Sequence, residues 1–213
     1  MPDSEKPLGL PLPTIRRYPL YLSAINAKIA QGESFVSSAA LARELDIDPV
    51  KLRKDLAMAG VPGTPRRGYP ARELTDAINR ALGWDNTIDA ALVGVGSLGR
   101  ALLGYQGFKE LNLSIAVAFD SSPAIIGTDC HGVQVWDVAD LTKIVQRLKL
   151  KLGILTVPNA AAQECVDLLV AAGIRGIWNF TAVQLTVPQG VKVQRVDLAA
   201  SLAILSHAIS TVV

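Results

Sequence analysis

The spacing of apolar and polar positions changes character once along the chain, near residue 85. Before that point apolar residues recur at helical spacing. Ile15, Leu22, Ile25 and Ile29 fall on one side of a helix expected from Thr14 to Ala30, bent or restarted at Pro19 and stopped by Gly32. Residues 1–13, with four prolines and a glycine, read as a flexible arm. A second helix opens at Ser37 or Ser38, either of which can cap it, and runs to Leu45. Asp46-Ile47-Asp48 breaks it. Asp48-Pro49 then restarts the chain as a helix, because the carboxylate accepts from free first-turn amides and proline at the first position brings no donor to orphan. This third helix, Pro49 to about Ala59, is expected to turn Val50, Leu52 and Leu56 inward and Lys51, Lys54 and Asp55 outward. Two short helices joined tightly, the second of them basic, predict a helix-turn-helix over about 37–59. The turn-rich segment from Val61 to Tyr69 follows as a wing with Arg66 and Arg67 at its tip, and a helix over Ala71–Leu82 closes a domain expected at residues 1–85.

Beyond residue 85 the chain alternates buried-strand runs with helical ones, which predicts a doubly wound parallel sheet over 86–196. The strand from Ile88 runs into Gly94-Val95-Gly96-Ser97-Leu98-Gly99 and then directly into a helix, the context that gives this glycine pattern meaning. Gly94 permits the turn, Gly96 lets a pyrophosphate approach the backbone, Gly99 allows close helix–strand packing, and the helix start offers amides to phosphates. The next strand ends at Asp120, 21 positions after Gly99, where a carboxylate would accept from ribose hydroxyls and repel a 2′-phosphate, favouring NAD(H). Further strands are expected over Val133–Trp136, Lys151–Val157, Gly176–Phe180 and Val191–Val196, with helices over Val138–Leu148 and Ala160–Ala171. Ligands in such sheets sit past the carboxyl ends of the strands, which places Thr156, Val157, Pro158, Asn179 and Phe180 beside the cofactor. Asp197 caps a last helix, Leu198 to about Val212, with Leu198, Leu202, Leu205 and Ile209 in one apolar stripe. That stripe has two candidate homes, its own sheet or a second subunit, and a two-fold dimer is what paired DNA half-sites require.

Composition narrows the classes. Of 213 residues half are apolar, which excludes a disordered chain, and the net charge is only +2. The least interrupted apolar stretch, Leu198 to Val213, is shorter than the ~20 residues of a membrane span. The first residues hold prolines and charges where a signal peptide needs an apolar run. Cys130 and Cys165 lie too far apart for a metal motif, so a reducing cytoplasm is expected and no metal site. The charge is concentrated: Lys51, Arg53, Lys54, Arg66, Arg67 and Arg72 stand against one acid, Asp55, as a phosphate-facing surface needs. An enzyme would also need a substrate domain and a positioned acid or base. The glycine loop, the sheet and the tail use the whole chain beyond residue 85, His131 and His207 read as surface or interface residues, and no catalytic residue is assigned. A small NAD(H)-dependent oxidoreductase stays as the alternative. A coenzyme A-binding Rossmann subunit would share the glycine loop but not want Asp120.

The chain resembles the Rex family of redox-sensing transcriptional repressors over nearly its whole length from about Thr14. The resemblance is carried by Arg17-Tyr-Pro-Leu-Tyr, Val36-Ser-Ser-Ala-Ala-Leu-Ala, Leu52-Arg-Lys-Asp-Leu and Val93-Gly-Val-Gly-Ser-Leu-Gly. Further on come Ala118-Phe-Asp, Ile154-Leu-Thr-Val-Pro, Ala161-Ala-Gln, Ile177-Trp-Asn-Phe and Val196-Asp-Leu-Ala. It implies a winged helix, a Rossmann sensor of NADH and NAD+, and a homodimer with swapped C-terminal helices over 197–213. Such a dimer holds a palindromic operator in double-stranded DNA until NADH draws its DNA-binding domains out of register. The basic residues Lys51, Arg53, Lys54, Arg66 and Arg67 of the helix-turn-helix and wing are the expected DNA contacts, and the resemblance puts an inter-subunit switch at Arg17, Tyr105 and Asp197. One stretch departs from the family: after Leu56 the chain reads Ala57-Met58-Ala59-Gly60, where Rex proteins usually have Ser-Tyr-Phe-Gly. A Rex-like protein that senses the cofactor but reads different DNA, or none, is the second alternative.

Overall fold

The computed structural model of the protein describes residues 9–210. Most of the expected arm (residues 1–8), the last residues 211–213 and the side chain of Leu198 lie outside what it describes. The chain forms two compact units, residues 1–86 and 87–213.

In the first unit α1 (Leu12–Ala30), α2 (Ser38–Glu44), α3 (Pro49–Met58) and α4 (Ala71–Leu82) surround one core, with β1 (Phe35–Val36) paired antiparallel to β2 (Tyr69–Pro70). The caps read from the sequence form. Ser37 Oγ accepts from the Ala40 amide and Asp48 Oδ1 from the Lys51 amide. Tyr18, Tyr21, Ile25, Leu41, Leu52, Leu56, Leu74 and Ile78 are fully buried, joining all four helices into one apolar mass.

Several details differ from the periodicity argument. Helix α1 runs through Pro19 without a break in its helical assignment. A mid-helix proline costs about 3 kcal/mol; Tyr18 and Tyr21 flank it, and both bury their rings and bond to α3, so the two halves are held on one surface. Val50, expected to turn inward, is 51% exposed, and Ile15, on the apolar side of α1, is 36% exposed. Asp55, assigned to the outer face, is 3% exposed. The inward stripe of α3 is Leu52, Asp55 and Leu56, with the carboxylate accommodated because α1 brings it donors.

The second unit is a seven-stranded sheet. Its strands are β3 (Ile88–Val93), β4 (Leu113–Asp120), β5 (Asp129–Cys130), β6 (Val133–Asp137), β7 (Leu152–Leu155), β8 (Gly176–Asn179) and β9 (Lys192–Arg195), in the order β5-β6-β4-β3-β7-β8-β9. All neighbours are parallel except β5, which pairs antiparallel with β6 at the edge. The connecting helices are α5 (Ser97–Leu103), α6 (Gly107–Glu110), α7 (Leu141–Leu148) and α8 (Ala162–Ala171), and α9 (Leu198–Ser210) follows the last strand. Strand alternation divides the core: Ala91, Val93, Val117 and Phe119 pack under α7 and α8, while Ala90, Leu92, Ala118 and Ile154 face the opposite side with Leu102 and Leu103 of α5. The sequence pattern did not reveal β5 or α6, each too short to show a period. The helices expected at Val138 and Ala160 each begin with a 3-10 turn, Val138–Asp140 and Asn159–Ala161.

Candidate functional site

Strand order reverses between β3 and β7, and the carboxyl ends of those strands carry the glycine loop. Gly94 has φ +98°, and a Cβ there would stand 2.8 Å from the Thr156 backbone, so only glycine takes this turn without strain. A Cβ on Gly99 would meet the Gly94 carbonyl oxygen at 2.0 Å, which is how closely helix and strand approach. Around Gly96, by contrast, nothing lies within 4 Å of the Cβ position, leaving that backbone open. Thr156 clamps the loop: its Oγ1 donates to the Gly94 carbonyl at 2.6 Å and its amide to Val93 at 2.9 Å.

Asp120 closes the loop from the other side. Its Oδ2 accepts from the Val95 amide at 2.6 Å and its Oδ1 from the Ser122 amide at 2.9 Å. Each carboxylate oxygen retains a second lone pair for a further donor. Beside it is a cavity of about 280 Å3 walled by Val138, Val157, Pro158, Ala161, Cys165 and Leu168, with Gly94, Asp120, Ser121 and Glu164 at its polar edge. The structure therefore brings together Gly94, Asp120, Val157 and Pro158 of the residues read from the sequence. Burial pushes the Cys165 thiol up, with Glu164 and Asp120 adding to the shift, so it presents a neutral S–H.

Asn179 and Phe180 stand elsewhere. The Asn179 side chain is spent internally, its Oδ1 accepting from the Thr181 amide and its Nδ2 donating to the Val183 carbonyl, which shapes the turn after β8. Phe180 lines a second hollow with Thr181, Arg195 and Asp197. Asp197 Oδ1 accepts from the Ala200 amide, as a cap should, and its Oδ2 pairs with Arg195; that backbone bond first, then Arg195, holds its carboxyl below the usual range. Tyr105 is 57% exposed, with its ring edge-on to Phe108.

In the first unit Lys51, Arg53 and Lys54 are exposed along α3. The wing is closed by a bridge between Thr64 and Gly68, with Arg66 at φ +62° and the Arg67 guanidinium 4.0 Å above the Phe35 ring. Gly68 has φ +94°, and a Cβ there would collide with the Val36 carbonyl oxygen at 2.3 Å, so the wing can return only through glycine.

Arg17 has a partner that was not foreseen. Its Nε and Nη2 donate to the two oxygens of Asp55 at 2.7 and 2.8 Å, Thr14 Oγ1 and Tyr21 Oη donate to the same carboxylate, and Tyr18 Oη donates to the Asp55 carbonyl. Burial pushes the Asp55 pKa up, but the bonds from Arg17, Tyr21 and Thr14 outweigh it and hold the carboxyl below its ordinary value. Arg17 is raised in turn, mainly by its bond to Asp55. The single acid between Lys51 and Arg72 is thus turned inward and neutralised, leaving the exposed side of α3 with cations alone. Helical spacing carried this signal: positions 52, 55 and 56 share a face, as do 14, 17, 18 and 21. The same spacing joins Ala161, Glu164, Cys165 and Leu168 on the cavity side of α8, of which sequence reasoning placed none beside the cofactor.

Comparison with known proteins agrees with this division. Residues 85–183 match the family model described as "CoA binding domain", and residues 9–57 match "Putative DNA-binding protein N-terminus". The redox-sensing transcriptional repressor Rex of Treponema denticola is 42% identical, the match covering 93% of this chain and 95% of that protein. The protein of the same name from Bacteroides thetaiotaomicron is 38% identical over 92% and 89%. Among solved structures, that of RSP in complex with β-NAD+ and operator DNA superposes with a TM-score of 0.89 at 31% identity, covering 95% of this chain and 93% of RSP. RSP in complex with β-NADH gives 0.86 at 30% identity, covering 95% of each chain. With identity at this level over almost the full length of its relatives, joined to a glycine loop and a basic helix-turn-helix, the chain belongs to the Rex family of redox-sensing transcriptional repressors.

Proposed function

We propose that this protein binds NADH and NAD+ in its second unit, holds a palindromic operator in double-stranded DNA as a homodimer, and releases it when NADH binds. The observation that carries the cofactor assignment is the bond from the Val95 amide to Asp120 at the lip of a cavity whose charged lining residues are both acids. An adenosine fits such a place: its ribose hydroxyls have a carboxylate to donate to, and its base has apolar walls. Gly94, Val95, Gly96, Ser97, Leu98 and Gly99 would pass the diphosphate along the open backbone at Gly96. Thr156 would hold that loop, and Val157 and Pro158 would contact the base side. Asn179 would act by shaping the turn that sets Phe180 near the nicotinamide. When bound, the cofactor supplies a ring that is cationic when oxidised and neutral when reduced, a difference on which a redox sensor can draw.

Lys51, Arg53, Lys54, Arg66 and Arg67 would meet phosphates and base edges, as their exposure on α3 and the wing supports. Homodimer formation is supported by α9, whose Leu202, Ile204, Leu205 and Ile209 are 57–74% exposed. One side of the sheet also leaves Trp178, Phe180 and Leu152 only half covered, a surface that the α9 of a second copy would complete. Each charged residue of the switch already has an in-chain partner, Asp55 for Arg17 and Arg195 for Asp197. A contact between Arg17 and Asp197 of different subunits would therefore be an exchange or sharing of ion pairs, with exposed Tyr105 as the competing partner. The protein acts as a regulator and not as an enzyme, NADH being read without turnover.

The test is selection of bound duplexes from a random-sequence pool, once with NAD+ and once with NADH. An enriched palindrome that NADH abolishes is the expected result. No enrichment in either case would replace this reading with a cofactor sensor whose Ala57-Met58-Ala59 segment has lost the family's DNA recognition. Oxidation of NADH by carbonyl substrates would replace it with the oxidoreductase.

A further inference from the structure

Among the described residues the cavity beside Asp120 has two acids and no cation in its lining, and only one of the acids is accounted for by a ribose. The other, Glu164, projects from the third position of α8, in line with Ala161, Cys165 and Leu168, which form one wall. Its neighbour Gln163 is fully employed, bonding Asp167 and both backbone groups of Thr186. Glu164 is exposed at the cavity's rim and, among the described residues, makes no hydrogen bond or ion pair. A carboxylate without a protein partner at the rim of a slot walled by Val138, Val157, Pro158, Ala161, Cys165 and Leu168 offers an acceptor to a bound ligand, and an ionised carboxylate can do nothing but accept.

We propose that Glu164 reads the exocyclic amine of the adenine base, making it a specificity residue for the base as Asp120 is for the ribose. The inference rests on the NAD(H) reading above. The chemistry of the edge decides the preference. Adenine presents an amino group at C6, a donor that a carboxylate takes. A 6-oxo purine presents a carbonyl there, which sets lone pairs against a negative charge. Losing one hydrogen bond to a charged group and gaining a repulsion costs at least tenfold in affinity, about one bond's worth. The two carboxylates together also set the cavity against any adenosine bearing an extra ribose phosphate, coenzyme A and NADPH included, because no lysine or arginine among the described residues lines it to offset that charge. This distinguishes the chain from the ligand named in the family model that covers its second unit.

The experiment titrates the full-length protein and its Glu164→Gln variant with NADH, with reduced nicotinamide hypoxanthine dinucleotide and with coenzyme A. The dihydronicotinamide fluorescence shared by the first two, and calorimetry for all three, serve as readouts. The wild type is expected to bind NADH at least about tenfold tighter than the 6-oxo analogue. In the variant the side chain offers a donor as well as an acceptor, and the gap is expected to close to within about threefold. Glu164 is exposed, so the variant keeps the fold, and unchanged thermal unfolding checks this. Equal affinities in the wild type, or a gap that survives Glu164→Gln, would overturn the role of Glu164 and leave the NAD(H) reading in place. Binding of coenzyme A without binding of NADH would overturn the cofactor reading itself, and the inference with it.

Discussion

The two units of this chain use buried polarity in opposite ways. The first places one carboxylate, Asp55, in its core and satisfies it with four hydrogen bonds from three side chains of a single helix, Thr14, Arg17 and Tyr21. The second buries only neutral polar side chains among its described residues, Asn179 and Thr181, and each of these organises a turn. The difference follows from what each unit must hold in place. A helix-turn-helix has no sheet ladder to set the orientation of α3, and apolar contacts between short helices constrain rotation weakly. A directional cluster fixes α3 against α1 in one rotation and so aims Lys51, Arg53 and Lys54 outward. In the Rossmann unit the ladder β6-β4-β3-β7-β8 already sets every strand end in register, so polar groups are left free to clamp the loop beside the cavity.

The comparison breaks most visibly at Asp55. Asp55→Ala strands Arg17, the Tyr21 phenol and the Thr14 hydroxyl without their acceptor, and breaking a buried pair in this way costs about 3–5 kcal/mol. Denaturant unfolding of the full chain should show the loss in the first unit, with DNA binding lost and NADH binding retained; loss of both together would mean that the units do not unfold separately. Asp120→Ala comes next. It removes the ribose acceptor and the tie on Val95 at once, and NADH affinity should fall by about tenfold or more, one to two hydrogen bonds to a charged group. DNA binding in NAD+ should persist, and unchanged NADH affinity would take Asp120 out of the site.

A smaller effect lies in the phenols. Burial first, and then the Asp55 charge, pushes Tyr18 up to about 12 from 10.0, and burial with the Asp55 bond does the same for Tyr21. A folded pKa above the unfolded one means stability present in full below pH 10 and lost as the pH rises through about 12. In a variant carrying Tyr69→Phe and Tyr105→Phe, which leaves Tyr18 and Tyr21 as the tyrosines of the chain, tyrosinate absorbance should therefore appear together with unfolding of the first unit, while tyrosinate forming in that folded variant near pH 10 would contradict their burial. Asp55, held below its ordinary value, works in the other direction, its contribution present above the unfolded pKa of about 4 and lost as the pH falls below it. The mildest change is Lys54→Ala, which leaves both cores intact. DNA binding should weaken, with a salt dependence shallower by about one in log–log slope; an unchanged slope would mean that Lys54 does not meet phosphate.

Much of the molecule was legible from local pattern, because the responsible physics is local. Ser37 and Asp48 cap helices through amides three residues on, and Gly94 and Gly99 announce a turn and a close approach by lacking a side chain. Asp120 is a strand-end acid at a spacing that the βαβ unit imposes. From these the helix-turn-helix, the strand–loop–helix and the family resemblance could all be read. What the pattern misjudged depended on partners far along the chain. Asp55 reads as a surface acid until α1, 34 to 41 positions away, supplies its donors. Pro19 reads as a break until Tyr18 and Tyr21 hold both halves of the helix on α3. Glu164 and Cys165 read as an ordinary helix turn until the ends of β3, β4 and β6 bring Val93, Asp120 and Val138 opposite them. The sequence alone determined most of the segments that form elements and where the glycine loop stands, since those rest on spacings of a few residues. The tertiary structure alone decided which side chain faces which, since the cost of burying a charge is settled by the donors that long-range packing delivers.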